Sequence, residues 1–145
     1  MNADLVGYPA AVLDASALVV AILKSGEREN HVLSFLWQRR CYCSMINWFE
    51  IESLVDDVYE QEDVESSWDD IKKTFISDYY LTIEEFTLKD AEWVVEKEKA
   101  HGSCLLMPRL SCLALGHRLD FPVVTADRVL TQERWIDREV KVILI

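Results

Sequence analysis

Apolar residues recur along this chain in two rhythms, and the two alternate. Ala11-Val12-Leu13 is a short continuous apolar run that stops at Asp14, the pattern of a buried strand. Ser16 to Lys24 then reads as a helix, ended by Ser25-Gly26. Glu27 to Arg39 reads as a second helix, with Val32, Leu33, Phe35, Leu36 and Trp37 among its apolar positions. Arg40 to Ser44 is a short strand that sets Cys41 and Cys43 on one face. Ile46 to Tyr59 has helical spacing, with Ile46, Phe49, Leu54 and Val58 as the apolar stripe and Glu50 and Ser53 beside it. Val64 to Ile76 is a further helix, capped by Ser66 or Ser67 ahead of Asp69 and Asp70. Tyr79 to Phe86 alternates as a strand does. Thr87-Leu88-Lys89-Asp90 is a capping box that opens a helix through Ala91, Val94 and Val95, closing at His101-Gly102. Leu105 to Leu119 is another helix, starting near Pro108. Phe121 to Thr125 is a strand, Asp127 to Trp135 a short helix, and Val140 to Ile145 a last strand.

Strands that alternate with helices predict an α/β domain whose central sheet, of four or five strands, is parallel or mostly parallel and has helices on both faces. The chain shows no repeat, no low-complexity tract and no linker rich in Gly, Pro or Ser. At 145 residues it is expected to form one domain spanning residues 1–145.

Composition narrows the function classes. Lys and Arg number 15 against 26 Asp and Glu, so the net charge is 15 − 26 = −11. That balance argues against a broad basic grip on nucleic acid. It allows a small acidic metal site, a basic partner, or simple solubility. No basic residue precedes Lys24, so the charged opening of a secretory signal is missing, and the uncharged run Ala15 to Leu23 is too short to span a bilayer. The expectation is a cytoplasmic protein with no membrane partner. Cys41, Cys43, Cys104 and Cys112 form no C-x-x-C pair, so they are expected to be buried free thiols rather than zinc ligands.

The candidate chemistry is acidic. In open α/β sheets, ligands bind beyond the carboxyl ends of the strands. Asp14 and Asp127 each follow a strand at such an end, and Glu50 lies one turn into the helix after the Arg40–Ser44 strand. A carboxylate just past an apolar strand is costly unless it is solvated, hydrogen-bonded or holding a cation. Three converging carboxylates would suit a hard ion, Mg²⁺ or Mn²⁺. Ser16, Asn47 and Thr125 flank them and could orient ligands or water. The structural alternative is that Asp14 and Asp127 cap the helices after them and Glu50 is solvated.

Three segments carry a resemblance. Val12-Leu13-Asp14-Ala15-Ser16-Ala17-Leu18, Asn47-Trp48-Phe49-Glu50 and Thr125-Ala126-Asp127-Arg128 resemble, in order and spacing, the motif blocks of PIN-domain ribonucleases, and most of all the bacterial VapC-type toxins of toxin–antitoxin pairs. Cys112 to Leu119 is also similar, and the likeness runs from about Ala11 to Trp135. It implies a PIN-like three-layer α/β/α fold and a Mg²⁺-dependent endoribonuclease. It further implies an RNA substrate, a homodimer and a small cognate antitoxin that silences the enzyme. The family's acidic residues fall on Asp14, Glu50 and Asp127. The family has one more aspartate, three residues before the position of Cys112; here that residue is Arg109, and no Asp or Glu occurs from Lys99 to Leu119. A guanidinium stays protonated and ligates no metal, but it can pair with Asp14 or Asp127. The alternative function is therefore a degenerate PIN domain that keeps the fold as a binding module.

Other residues carry weaker signals. His31, His101 and His117 lack ligand spacing, and Arg39-Arg40 and Lys72-Lys73 read as solvated pairs rather than RNA contacts. The five tryptophans are expected mostly to pack in or against the core. The acidic stretch Asp56 to Asp70 reads as a solvated face and loop.

Overall fold

A computed structural model describes residues 7–23, 27–62, 68–103 and 105–145. The Ser25-Gly26 stop, the Ser66 or Ser67 cap, Cys104 and part of the Asp56 to Asp70 stretch lie outside the described residues.

Five strands form one sheet in the order β3-β2-β1-β4-β5, and every pairing is parallel. They are β1 (Ala10–Leu13), β2 (Arg40–Ser44), β3 (Thr82–Glu84), β4 (Val123–Thr125) and β5 (Val142–Leu144). The register sets Ala11 against Cys41 and Leu13 against Val124. β1 is buried at every position, as the continuous apolar run predicts for a strand covered on both faces.

The helices are α1 (Ala15–Ile22), α2 (Glu27–Gln38), α3 (Met45–Glu62), α4 (Trp68–Lys73), α5 (Leu88–His101), α6 (Met107–Leu119) and α7 (Arg134–Glu139). Period-two alternation divides the core. Ala11, Leu13, Cys41, Cys43, Val124 and Ile143 face α1 to α4, with Leu18, Phe35, Ile51 and Ile71. Val12 and Val123 face α5 to α7, with Trp93, Leu113 and Ile136. This is the expected three-layer arrangement.

Some boundaries move, each for a local reason. The helix expected to reach Ile76 gives way to a π-helical turn, Thr74–Asp78, closed by Tyr79 N–H donating to Thr74 O at 3.1 Å. Tyr80 then takes a left-handed φ of 56°, so the chain is still turning where the strand was expected to begin. Asp120, also at φ 56°, closes α6, and the strand after it starts at Val123 rather than Phe121. The segment after Asp127 is a 3-10 turn, Arg128–Thr131, followed by α7. The predicted capping box and stop of α5 are both present: Thr87 and Asp90 bond reciprocally, and Gly102 takes φ 58°.

Of the expected stripe of α3, Ile46 is half-buried, Phe49 and Leu54 are exposed, and the Val58 side chain lies outside the described residues. Phe49 is 70% exposed and Leu54 41%, while Asn47, Ile51 and Val55, four residues apart, form the buried face. Asn47 is drawn inward by hydrogen bonds, and the helix turns with it. A count of apolar residues cannot see a buried asparagine.

Gly116 is needed for packing. A Cβ there would lie 2.7 Å from Val123 Cγ2 and 3.1 Å from Phe121 O, where α6 crosses β4. Gly116→Ala is expected to destabilise the fold by about 1–3 kcal/mol despite the better helix propensity of alanine. Urea unfolding of the two chains checks it, and equal midpoints would contradict this packing.

Candidate functional site

Because the sheet is parallel, the carboxyl ends of β1, β2 and β4 lie on one edge, with β1 between the other two. The chain leaves each of these ends into a helix or turn. Asp14 follows β1, Asn47 and Glu50 lie in the first turns of α3 after β2, and Asp127 follows β4. Asp14, Ser16, Asn47, Glu50, Arg109 and Asp127 all line one cleft of about 390 Å³.

Asp14 is the most enclosed of the three cleft carboxylates, at 6% exposure. Its Oδ1 accepts from Ser16 Oγ at 2.7 Å and from the Ala17 N–H at 2.9 Å. Its Oδ2 accepts from Thr125 Oγ1 at 2.5 Å. The two hydroxyls are themselves oriented by backbone donors. Ala126 N–H donates to Ser16 Oγ and Asp127 N–H to Thr125 Oγ1, each at 2.9 Å. Each hydroxyl therefore presents its single proton to Asp14. Burial pushes the Asp14 carboxyl above its ordinary range; the bonds from Thr125, Ser16 and Ala17 oppose that shift, and the charge of Asp127 adds to it.

Asp127 caps the 3-10 turn, its Oδ1 accepting from Val129 N–H at 3.0 Å. Its Oδ2 accepts from Arg109 Nε at 2.6 Å. Arg109 stands in the first turn of α6, with Pro108 before it. That turn is pinned from below. Pro108 O accepts from Asn47 Nδ2 at 3.0 Å and from Ser111 Oγ at 2.8 Å. Ser44 Oγ donates to Asn47 Oδ1 at 3.0 Å and lies 2.9 Å from Ser111 Oγ. Asn47 Nδ2 also reaches Glu50 Oε2, at 3.5 Å.

The structural alternative holds for the two aspartates as far as it goes: both cap the elements after them. They also face the cleft. Ser16 and Thr125 act on Asp14, whereas Asn47 acts mainly on the α6 turn. Ser44 and Ser111 are buried members of that network which sequence reading missed. The only available signal was Ser44 at a strand end, three residues before Asn47.

The carboxylates lining the cleft are oxygen donors of the kind a hard divalent ion takes, but the resting arrangement does not gather them. Among the described residues, no three Asp, Glu, His or Cys side chains stand close enough to hold one. Asp127 gives Oδ2 to a guanidinium instead. Burial pushes Cys41 up to about 12 and Cys43 and Cys112 well above the usual thiol range, so they stay protonated. His101 and His117 stack on Trp135 and Trp93, away from the cleft.

No family model matches the sequence, and no curated protein matches it. Solved structures do match. A chain of the VapBC2 structure from Rickettsia felis, bound to a DNA fragment from the promoter, superposes with a TM-score of 0.69 at 16% identity, over 93% of this chain and 98% of that one. A toxin–antitoxin complex from Klebsiella pneumoniae gives 0.62 at 18% identity, over 92% and 95%. VapBC-1 from nontypeable Haemophilus influenzae gives 0.60 at 11%, over 93% and 97%. At such identities the likeness is one of architecture: this chain has the PIN-like α/β fold found in VapBC toxin–antitoxin structures.

Proposed function

We propose that the chain is an endoribonuclease of the VapC toxin type, hydrolysing RNA phosphodiester bonds in the cleft lined by Asp14, Glu50 and Asp127. The observation that carries this reading is the cage around Asp14. Three donors from α1 and the β4 end, two of them hydroxyls set in turn by the Ala126 and Asp127 N–H groups, fix one buried carboxylate at the cleft. A cap alone needs one backbone bond, and that much hydrogen bonding is a large investment for a cap. Mg²⁺ or Mn²⁺ is the cofactor this reading requires, with Asp14, Glu50 and Asp127 as its carboxylates; the resting arrangement does not gather them. The reading also assigns a cytoplasmic setting, and among the described residues no helix is long and apolar enough to cross a membrane.

The partners proposed are a small antitoxin and a second copy of the chain. The neighbours are themselves toxin–antitoxin structures. The cleft offers carboxylates to a basic side chain, and Leu54 and Leu106, both exposed, stand at its wall. Light scattering is expected to show a dimer, and a monomer at high concentration would remove that part.

The second reading, a binding module without chemistry, is favoured by one observation, the pairing of Arg109 with Asp127. Incubation with a mixed RNA pool in Mg²⁺ or Mn²⁺ separates the two. The nuclease reading expects internal cuts that stop on adding EDTA. Intact RNA at every metal concentration would leave the binding module. Cleavage that persists in EDTA would falsify the metal requirement.

A further inference from the structure

The cleft carries a cation of its own, and its placement runs against local electrostatics. Arg109 lies in the first turn of α6, where unpaired N–H groups leave a partial positive charge that disfavours a guanidinium. That first turn holds no acidic residue, and the helix start has no side-chain cap. What holds the side chain is Asp127 Oδ2. The pair sits at the solvent edge, the two side chains 33% and 22% exposed. Solvent reaches both side chains and screens the pair, which lowers the cost of exchanging one partner for another. The contact uses Nε, one of the five donors of a guanidinium fork, and that fork matches the paired oxygens of a phosphate. The backbone beneath is fixed by the Asn47 and Ser111 bonds to Pro108 O, so the side chain can change partner while its anchor stays in place.

Building on the nuclease reading, we infer that Arg109 is a phosphate-binding residue that exchanges partners. It rests on Asp127 in the free protein and moves to the non-bridging oxygens of an RNA phosphodiester in the complex. Two consequences follow. In an acidic protein, Arg109 supplies a point of attraction for the RNA backbone inside the cleft. RNA binding also frees an oxygen of Asp127, so RNA and divalent cation bind cooperatively, each raising the affinity for the other by the same factor.

The test is a calorimetric Mn²⁺ titration of the wild-type chain and of Arg109→Gln, each with and without a short sugar-methylated oligoribonucleotide. In the wild type the oligonucleotide is expected to tighten Mn²⁺ binding about tenfold or more. In Arg109→Gln, Mn²⁺ binds at the tightened affinity without the oligonucleotide. In EDTA, Arg109→Gln binds the oligonucleotide about tenfold more weakly than the wild type, the loss of one bidentate charged contact. Arg109→Lys provides a second variant that keeps the charge without the fork: it still hinders Mn²⁺ but loses affinity for the oligonucleotide. Equal Mn²⁺ affinity in wild type and Arg109→Gln, or oligonucleotide binding unchanged by either substitution, would overturn the exchange. The outcomes separate this inference from the reading beneath it. Coupling without any cleavage sinks the nuclease and keeps the exchange, whereas metal-dependent cleavage without coupling does the reverse.

Discussion

Arg109→Asp is expected to raise the affinity of the cleft for Mn²⁺ by about tenfold or more, and to increase RNA cleavage with it. The substitution removes the cation from Asp127 Oδ2 and adds a carboxylate beside it, a swing of two charge units at the mouth of a partly desolvated cleft. Screening over a few ångströms is incomplete at physiological salt, so most of that swing is felt by a bound ion. Two effects oppose each other in the metal-free fold. An aspartate in the first turn of α6 gains about 0.3–1 kcal/mol from the helix dipole. The lost ion pair and the repulsion among Asp14, Asp127 and the new carboxylate cost more, because nothing then neutralises them. The variant is therefore expected to melt below the wild type in EDTA and above it in Mn²⁺. Differential scanning calorimetry reads both. A melting temperature that ignores Mn²⁺ would place residue 109 outside the metal site.

Asp14→Asn is expected to trade function for stability. An amide keeps the shape and can still accept from Ser16 and Ala17, but it carries no charge. RNA cleavage should fall by about a hundredfold or more, since a hard cation loses its best-oriented anionic ligand. Stability should move the other way. The folded-state pKa of Asp14 is raised by burial, so the ionised carboxylate opposes folding. A raised acid contributes its stability in full below the unfolded value, and that stability is lost as pH rises through the folded value. The asparagine avoids this loss. Its gain should be a few degrees of melting temperature at neutral pH and should vanish below about pH 4, where the wild-type aspartic acid is neutral too. A variant less stable than wild type at neutral pH would show that Asp14 acts chiefly as the cap of α1.

The sequence reveals the fold largely because the sheet is buried on both faces. A parallel strand covered on two sides must be apolar throughout, and Ala11-Val12-Leu13 stands out for that reason. The edge strand β3 is three residues long and only half-buried, so its limits depend on the π-helical turn and the left-handed Tyr80, neither of which leaves a mark in composition. The face of α3 was hidden because its buried positions include Asn47, a residue that binary patterning counts as exposed.

The candidate site divides the same way. Asp14 and Asp127 are legible because strand ends point to them, and a parallel sheet leaves those ends only one edge to share. The serines beneath them are not. Ser44 and Ser111 are 67 residues apart, and only the packing of α6 across β2 and α3 brings them together. The sequence offers Arg109 two partners, Asp14 and Asp127. Asp14 already accepts from Ser16, Ala17 and Thr125, and it is Asp127 Oδ2 that Arg109 Nε reaches.

In the reading proposed above, this cleft is the metal and phosphate site and Arg109 stands in the way of the ion. Locating Mn²⁺ by its anomalous scattering, in crystals of the wild-type chain grown with and without the sugar-methylated oligoribonucleotide, tests it most directly. At a Mn²⁺ concentration between the two affinities, an ion is expected among Asp14, Glu50 and Asp127 with the oligonucleotide and not without it, with Arg109 moved from Asp127 to a phosphate. Manganese bound elsewhere, or bound in the cleft with the Arg109–Asp127 pair intact, would contradict it.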